Sequence, residues 1–242
     1  MPSSIVVFGA GPGLGRAVAR RYARAGHTVV LVARRQAPLE ELAADLASVG
    51  ATAHVLPADL SDTDAVPRLA GQIRDAVGDP GTLYYGPSAG GFIPVAALTP
   101  ERARALMPLA LYSLVALVRE FLPAMLERGD GAILSAQGAS AVRGMPHISG
   151  GFALAAQRNY LQSLHAAVAD QGVYVGGLYI GAAIKRTPFY ERREAERAAG
   201  AALPEMPEAD PDDLADLLWT MHSTKSQPEA TYPAGLMRAV GG

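Results

Sequence analysis

Short apolar runs alternate along the chain with longer segments whose apolar positions recur every three or four residues. Residues 5–8 (IVVF), 28–33 (TVVLVA), 82–86 (TLYYG), 132–136 (AILSA) and 173–181 (VYVGGLYIG) are compact apolar runs, and their pattern predicts buried strands. Residues 53–62 (AHVLPADLSD) read as a strand running into a loop. In "GLGRAVARRYARAG", Leu14, Ala17, Val18, Tyr22 and Ala25 fall on one helical face, and Gly26 supplies a stop. Further helices are predicted over 38–50, with Pro38 near the start and Gly50 after the end, and over 63–77. Thr99 can cap a helix that carries Pro100 in its first turn and runs towards Arg128. Pro108 inside that pattern predicts a kink or an extended first turn, because it has no N–H to donate. A helix is predicted over about 151–170, and Asp210-Pro211-Asp212-Asp213 opens a last one with Asp210 as cap.

Strands alternating with helices predict an α/β fold, a parallel sheet covered on both faces. Right-handed crossovers make it doubly wound. With no internal repeat and no linker, residues 1–242 are expected to form one domain, with a nucleotide-binding half (1–90) and a substrate half (91–242). The segment 185–209 breaks the alternation: it is charged, alanine-rich and punctuated by proline. It reads either as a lid over the substrate half or as a solvated excursion.

Composition narrows the functional classes. Hydrophobic residues make up 50% of the 242 and charged residues 18%, which is a globular and not a disordered balance. A net charge of −2 gives no electrostatic case for nucleic acid or an anionic membrane. With no cysteine, disulfides, thiolate catalysis and Cys-ligated metals are excluded. No cluster of His, Asp and Glu has ligand spacing, so no metal is expected. No unbroken apolar run reaches a membrane span, and the N-terminus lacks a basic leader, so a cytoplasmic protein is the expectation.

The stretch "FGAGPGLG" places Gly9, Gly11, Gly13, Leu14 and Gly15 between the first strand and the first helix. Glycines there permit a tight turn and close approach to a pyrophosphate, which the helix N-terminus attracts. The second strand ends "VARRQ", without the acid that binds ribose hydroxyls in an NAD site. Arg34 and Arg35 suit a 2′-phosphate instead, which favours NADP(H); the alternative is that both are solvated loop charges.

With these features the chain resembles the short-chain dehydrogenase/reductase family, which has a Rossmann fold. Phe8 to Gly15 matches the family's T-G-x-x-x-G-x-G turn with Phe8 for Thr. Asp59-Leu60 matches the adenine-contacting pair, and Ser88-Ala89-Gly90 matches N-A-G with Ser for Asn. "FLPAMLERGDGAIL" (121–134) is similar to the run before the fifth strand. "GLYIGAAIKRTP" (177–188) resembles P-G-x-x-x-T, with Ile180 for Pro, and brings in Ile184 and Thr187. The resemblance spans nearly the whole chain and implies cofactor contacts at all these positions. It also implies oxidoreductase activity on a small molecule, and a dimer or tetramer formed through the helices over 99–128 and 151–170.

The same resemblance implies a catalytic Asn, Ser, Tyr and Lys, and none falls where it is needed. The Ser position is Gly138, with Gln137 and Ser140 beside it, and the Asn position is near Ala110. The Tyr position, at about 150–152, holds Gly150, Gly151 and Phe152, and the Lys position holds Leu154, Ala155 or Ala156. Between 146 and 159 there is no Tyr and no Lys. Gly in place of Tyr is expected to open space in the cleft, and loss of the Lys is expected to weaken NADP(H) binding or leave it vestigial. Three residues are candidate stand-ins: His147, as the residue type that serves as a proton donor in general acid catalysis, and Ser140 and Gln137, which follow the fifth strand. Each also has a plain structural reading, as an exposed loop histidine or as turn caps. Three functions stay open: an oxidoreductase with a non-standard proton donor, a non-redox cyclase, dehydratase or isomerase, and a non-catalytic binding or regulatory subunit.

Overall fold

The computed structural model describes residues 3–88 and 92–236. Seven strands form one parallel sheet: β1 (Ser4–Phe8), β2 (Thr28–Ala33), β3 (Ala53–Pro57), β4 (Thr82–Tyr85), β5 (Gly131–Gly138), β6 (Val173–Ile180) and a short last strand, Glu229–Tyr232. The order is β3-β2-β1-β4-β5-β6 and then the last strand. The order reverses direction at β1, which has β2 on one side and β4 on the other (Phe8 opposite Val32 and Tyr85). In a doubly wound sheet that reversal places the ligand crevice at the carboxyl ends of these strands.

Helices α1 (Leu14–Arg24) and α2 (Gln36–Ser48) cover one face and α3 (Val66–Val77) covers the other. The long helical region is divided into α4 (Pro100–Met107), a π-turn over Pro108–Tyr112, and α5 (Ser113–Arg128). α6 (Gly151–Val168), α7 (Pro188–Ala198) and α8 (Pro211–Thr224) follow. Each face has its own apolar core. Tyr22, Leu39, Leu42, Leu214 and Leu218 pack on one side, and Ile73, Leu114, Leu117, Phe121 and Leu161 on the other. Val and Ile fill the strands because branched side chains pack well on a pleated surface buried on both faces.

Several expectations are corrected. Helix α1 stops at Arg24, so Ala25 lies in the exposed turn and not on the buried face. Helix α2 starts at Gln36, two residues before Pro38. The segment 185–209 is not one irregular excursion. It contains α7, capped by the Thr187 hydroxyl that accepts from the Tyr190 N–H, and a two-stranded ribbon closes its base. The ribbon pairs β7 (Ala183–Ile184) with β8 (Glu208–Ala209). The last sheet strand, β9 (Glu229–Tyr232), was not expected at all. The helical stretch Pro100–Arg128 is long and apolar enough, by length and composition, to cross a membrane, with a mean hydropathy of 1.6 over its most apolar 18-residue window. Here its Leu114, Leu117, Phe121 and Met125 are buried against the sheet and its neighbours.

Candidate functional site

The carboxyl ends of β1, β2 and β4 build a tight cradle. The Gly9 and Ala10 N–H groups donate to the Val32 carbonyl at 2.9 and 3.1 Å, which clamps the turn onto β2. Gly13 begins α1 with φ of 84°, a left-handed conformation that favours glycine, and no side chain caps the helix there. A Cβ on Gly15 would lie 2.1 Å from the Gly9 carbonyl oxygen, so only glycine lets α1 sit this close to the turn. Around Gly11 nothing lies within 4 Å of a Cβ position, which leaves the outer side of the turn open. The uncapped helix N-terminus and this open space fit a pyrophosphate. Leu14 contributes backbone to that terminus while its side chain is buried in the core.

The rest of the cradle assembles beside the turn. Arg34 and Arg35 leave β2 exposed at its carboxyl end. Asp59 follows β3, and its carboxylate accepts from the Ser61 N–H at 2.9 Å and the Ser61 hydroxyl at 2.7 Å. These bonds, with the Arg34 charge nearby, hold its pKa below the usual carboxylate range. Leu60 is buried, and its carbonyl accepts from the Ser113 hydroxyl on α5. Ser88 is exposed, and Ala89 and Gly90 lie outside the described residues. Thr187 reaches the turn from the other side: a Cβ on Gly13 would meet its methyl group at 2.5 Å. The Thr187 hydroxyl donates to the Ile184 carbonyl at 2.6 Å, so its first commitment is to the base of α7.

The catalytic candidates do not converge. His147 is exposed in the loop before α6. Ser140 is buried, and its carbonyl oxygen and Cβ would lie 2.9 and 3.0 Å from a Cβ on Gly151. At Gly151 the expected opening is therefore absent: Ser140 packs directly on the first turn of α6 and fills it. Gln137 faces neither His147 nor Ser140. Its Nε2 donates to Oε1 of Gln157 on α6, an oxygen that also accepts from the Ser135 hydroxyl at 2.9 Å. Tyr84 and Tyr85, which end β4 beside the cradle, are both buried. Among the described residues no group of three or more His, Asp or Glu side chains is placed to share a metal ion.

Gln157 is the residue that sequence reasoning missed. Its Nε2 donates to the Ala110 carbonyl in the π-turn, so one buried amide joins α6, β5 and the long helical region. Gln137 Oε1 is buried beside it with no partner among the described residues. Its signal was present in the sequence: Gln157 falls on the buried face of α6 together with Ala153 and Leu161, a polar residue in an apolar stripe.

Comparison with known proteins identifies the family. A family model for short chain dehydrogenases matches residues 3–197. The chain belongs to the short-chain dehydrogenase family. It is 32% identical over 222 residues to a 1-deoxy-11-beta-hydroxypentalenate dehydrogenase of Streptomyces exfoliatus, covering 88% of this chain and 77% of that one. It is 30% identical over 224 residues to a fatty acyl-CoA reductase of Acinetobacter baylyi, covering 88% and 70%. Against other curated relatives, uncharacterized mycobacterial oxidoreductases, the matched part spans only 40% of their length. Among solved structures, a protein from Beutenbergia cavernae assigned as an NAD(P)-dependent gluconate 5-dehydrogenase superposes with a TM-score of 0.82. It is 26% identical, the match covers 98% and 97% of the two chains, and it holds NADP at low occupancy.

Proposed function

We propose that this short-chain dehydrogenase binds NADP(H) and acts as an oxidoreductase on a small molecule, with a proton donor other than the family's tyrosine. The observation that carries the reading is the glycine turn, packed so that only glycine fits at Gly15, with Arg34 exposed at the end of β2 beside Asp59. Gly9, Gly11, Gly13 and Gly15 would hold the pyrophosphate. Arg34, with Arg35 next to it, would hold the 2′-phosphate, and Asp59 and Leu60 would line the adenine. Ile184 and Thr187 would close over the nicotinamide end. The bound nucleotide supplies the hydride; the chain's part is to orient the two partners and exclude water.

The tetrad positions hold Gly138, a residue near Ala110, one of Gly150, Gly151 and Phe152, and one of Leu154, Ala155 and Ala156. Ala155 is exposed one turn into α6 and offers no cation to a ribose, so weak cofactor binding is the expectation. Water or the Ser140 hydroxyl is left to supply the proton, since His147 is exposed in its loop. The segment 185–209 acts as the lid, and the chain folds as one domain. Tyr112 (51% exposed) and Val115 (37%) on the long helical region support assembly of copies through that helix and α6.

Isothermal titration with NADPH tests the reading. Binding is expected, NADH is expected to bind more weakly, and Arg34→Glu is expected to weaken NADPH by about tenfold or more while leaving NADH little changed. No NADPH binding at millimolar concentration would overturn it. A second reading, a non-redox enzyme on the same scaffold, is favoured by the packing of Ser140 onto Gly151, where a side chain would have to displace the segment 139–141. Turnover that persists without any nicotinamide would establish it.

A further inference from the structure

The mouth of the cleft carries a surface that neither the fold nor the cofactor requires. Residues 92–98, FIPVAAL, form the loop after β4 without a single charge, yet most of them are exposed, Phe92 by 60% and Val95 by 49%. The loop is held in place from two sides. The Val95 N–H donates to the Pro146 carbonyl at 2.9 Å, and the Ser149 N–H donates to the Ile93 carbonyl at 3.0 Å, which ties it to the loop before α6. The Phe92 ring stacks on Phe189 of α7, with centroids 5.8 Å apart and planes 19° apart, and the Arg193 guanidinium lies 5.9 Å from the Phe189 centroid. Phe189 stands two residues beyond Thr187, whose methyl group abuts the glycine turn. Phe152, 41% exposed, opens α6 directly after the tied loop. The loop 92–98 and α7 thus present stacked apolar side chains at the carboxyl end of the sheet, beside the tied loop that leads into α6.

We propose that this mouth selects a substrate with an extended apolar chain or skeleton, gripped between the Phe92–Phe189 pair and the Val95 loop while its polar end reaches the glycine turn. The inference rests on the cleft location argued above and adds the substrate class. Exposing this much apolar surface in an ordered loop is unfavourable unless something covers it in use. The patch is bordered by charge on α7, where the Arg193 guanidinium lies 5.9 Å from the Phe189 ring centroid and Glu191, Arg192, Glu194, Glu196 and Arg197 follow in the same helix. That setting suits a hydrocarbon chain rather than the broad face of a second protein.

Titration calorimetry with a homologous series of methyl ketones, from butanone to dodecan-2-one, tests this with and without NADPH present. Affinity is expected to rise by up to about fourfold per added methylene. The double variant Phe92→Ser, Phe189→Ser is expected to flatten that rise and to weaken the longest ketone by about tenfold or more. Both side chains lie at the surface, so an unchanged melting temperature certifies the fold, and Val49→Ser, an exposed apolar residue elsewhere, must leave the series unchanged. A flat series in the wild type overturns the proposal, as does a rise that survives in the double variant. So does loss of self-association in the double variant, which would make the patch an interface between copies. Chain-length dependence without NADPH binding would sustain the mouth and remove only the cofactor reading.

Discussion

Gly151 shows why a missing tyrosine cannot simply be put back. A Cβ there would lie 2.9 Å from the Ser140 backbone oxygen, closer than real Cβ atoms approach, so any side chain must displace the segment 139–141. Gly151→Ala is therefore expected to lose up to about 2 kcal/mol in urea denaturation, the range for overpacking a tight site less the gain in helix propensity. A more stable variant would mean that the segment yields easily. Ala155 is the opposite case, because it is exposed and one turn further along. Ala155→Lys offers a cation where the family keeps one, and NADPH is expected to bind about tenfold tighter by calorimetry, the scale of one added hydrogen bond to a charged group. Unchanged affinity would place the ribose elsewhere.

The π-turn links local chemistry to the site. Pro108 has no N–H to give to the turn before it, and the widened turn hands two carbonyls to side chains from outside the helix. Leu109 accepts from the Tyr85 hydroxyl on β4 at 2.6 Å, and Ala110 accepts from Gln157. The kink was legible from Pro108; its partners were not, because both lie far away in sequence. Gln157→Leu would leave Ala110, Ser135 and Gln137 short of partners, and a loss of about 3 kcal/mol in stability is expected. Gln157→Glu gives a sharper test. A buried neutral carboxyl can still donate to Ala110, and an ionised one cannot, so that variant should lose stability as pH rises above about 4, a loss absent from the wild type. The same limit hid β9. Glu229 on that strand is held by Arg158 through two bonds of 2.8 Å and by the Tyr179 hydroxyl at 2.9 Å. A strand that carries its own buried acid reads locally as a polar loop. The six strands that were legible each carry a local apolar run and need no distant partner to declare themselves, and the glycine turn was legible because its constraint is local backbone geometry.

At the scale of the whole molecule, acid sensitivity of the fold is expected to arise at the amino-terminal end of the sheet, opposite the cleft. Tyr22 on α1, Tyr174 on β6, and Trp219 and His222 on α8 pack with His27 into one ring cluster. The Tyr22 hydroxyl and His222 Nδ1 are 2.8 Å apart. Burial above all lowers the His222 pKa to about 4; the neighbouring His27 and Lys225 push the same way, and Asp130 opposes them. Burial lowers His27 as well. Around the cluster, Arg21 lies 4.3 Å from the Trp219 ring centroid and pairs with Asp216, and Lys225 pairs with Asp130. Unfolded histidine takes up a proton near pH 6.5, whereas folded His222 resists until about 4. Stability is therefore fully present above 6.5, falls as pH drops from 6.5 to 4, and is steady in this respect below that. Between pH 7.5 and 5 the loss from His222 alone is about 2 kcal/mol. That window lies above the range in which the low-pKa carboxylates of Asp45, Asp59 and Glu229 act, since their folded pKa values are lowered from ordinary carboxylate values. Urea denaturation at the two pH values should show the loss in the wild type, and His222→Gln, which keeps a polar partner for Tyr22 but does not titrate there, should show less of it. Equal losses in both proteins would place the acid sensitivity elsewhere. Because the cluster sits at the far end from the glycine turn, the affinity of the folded protein for NADPH is expected to be unaffected by the same substitution.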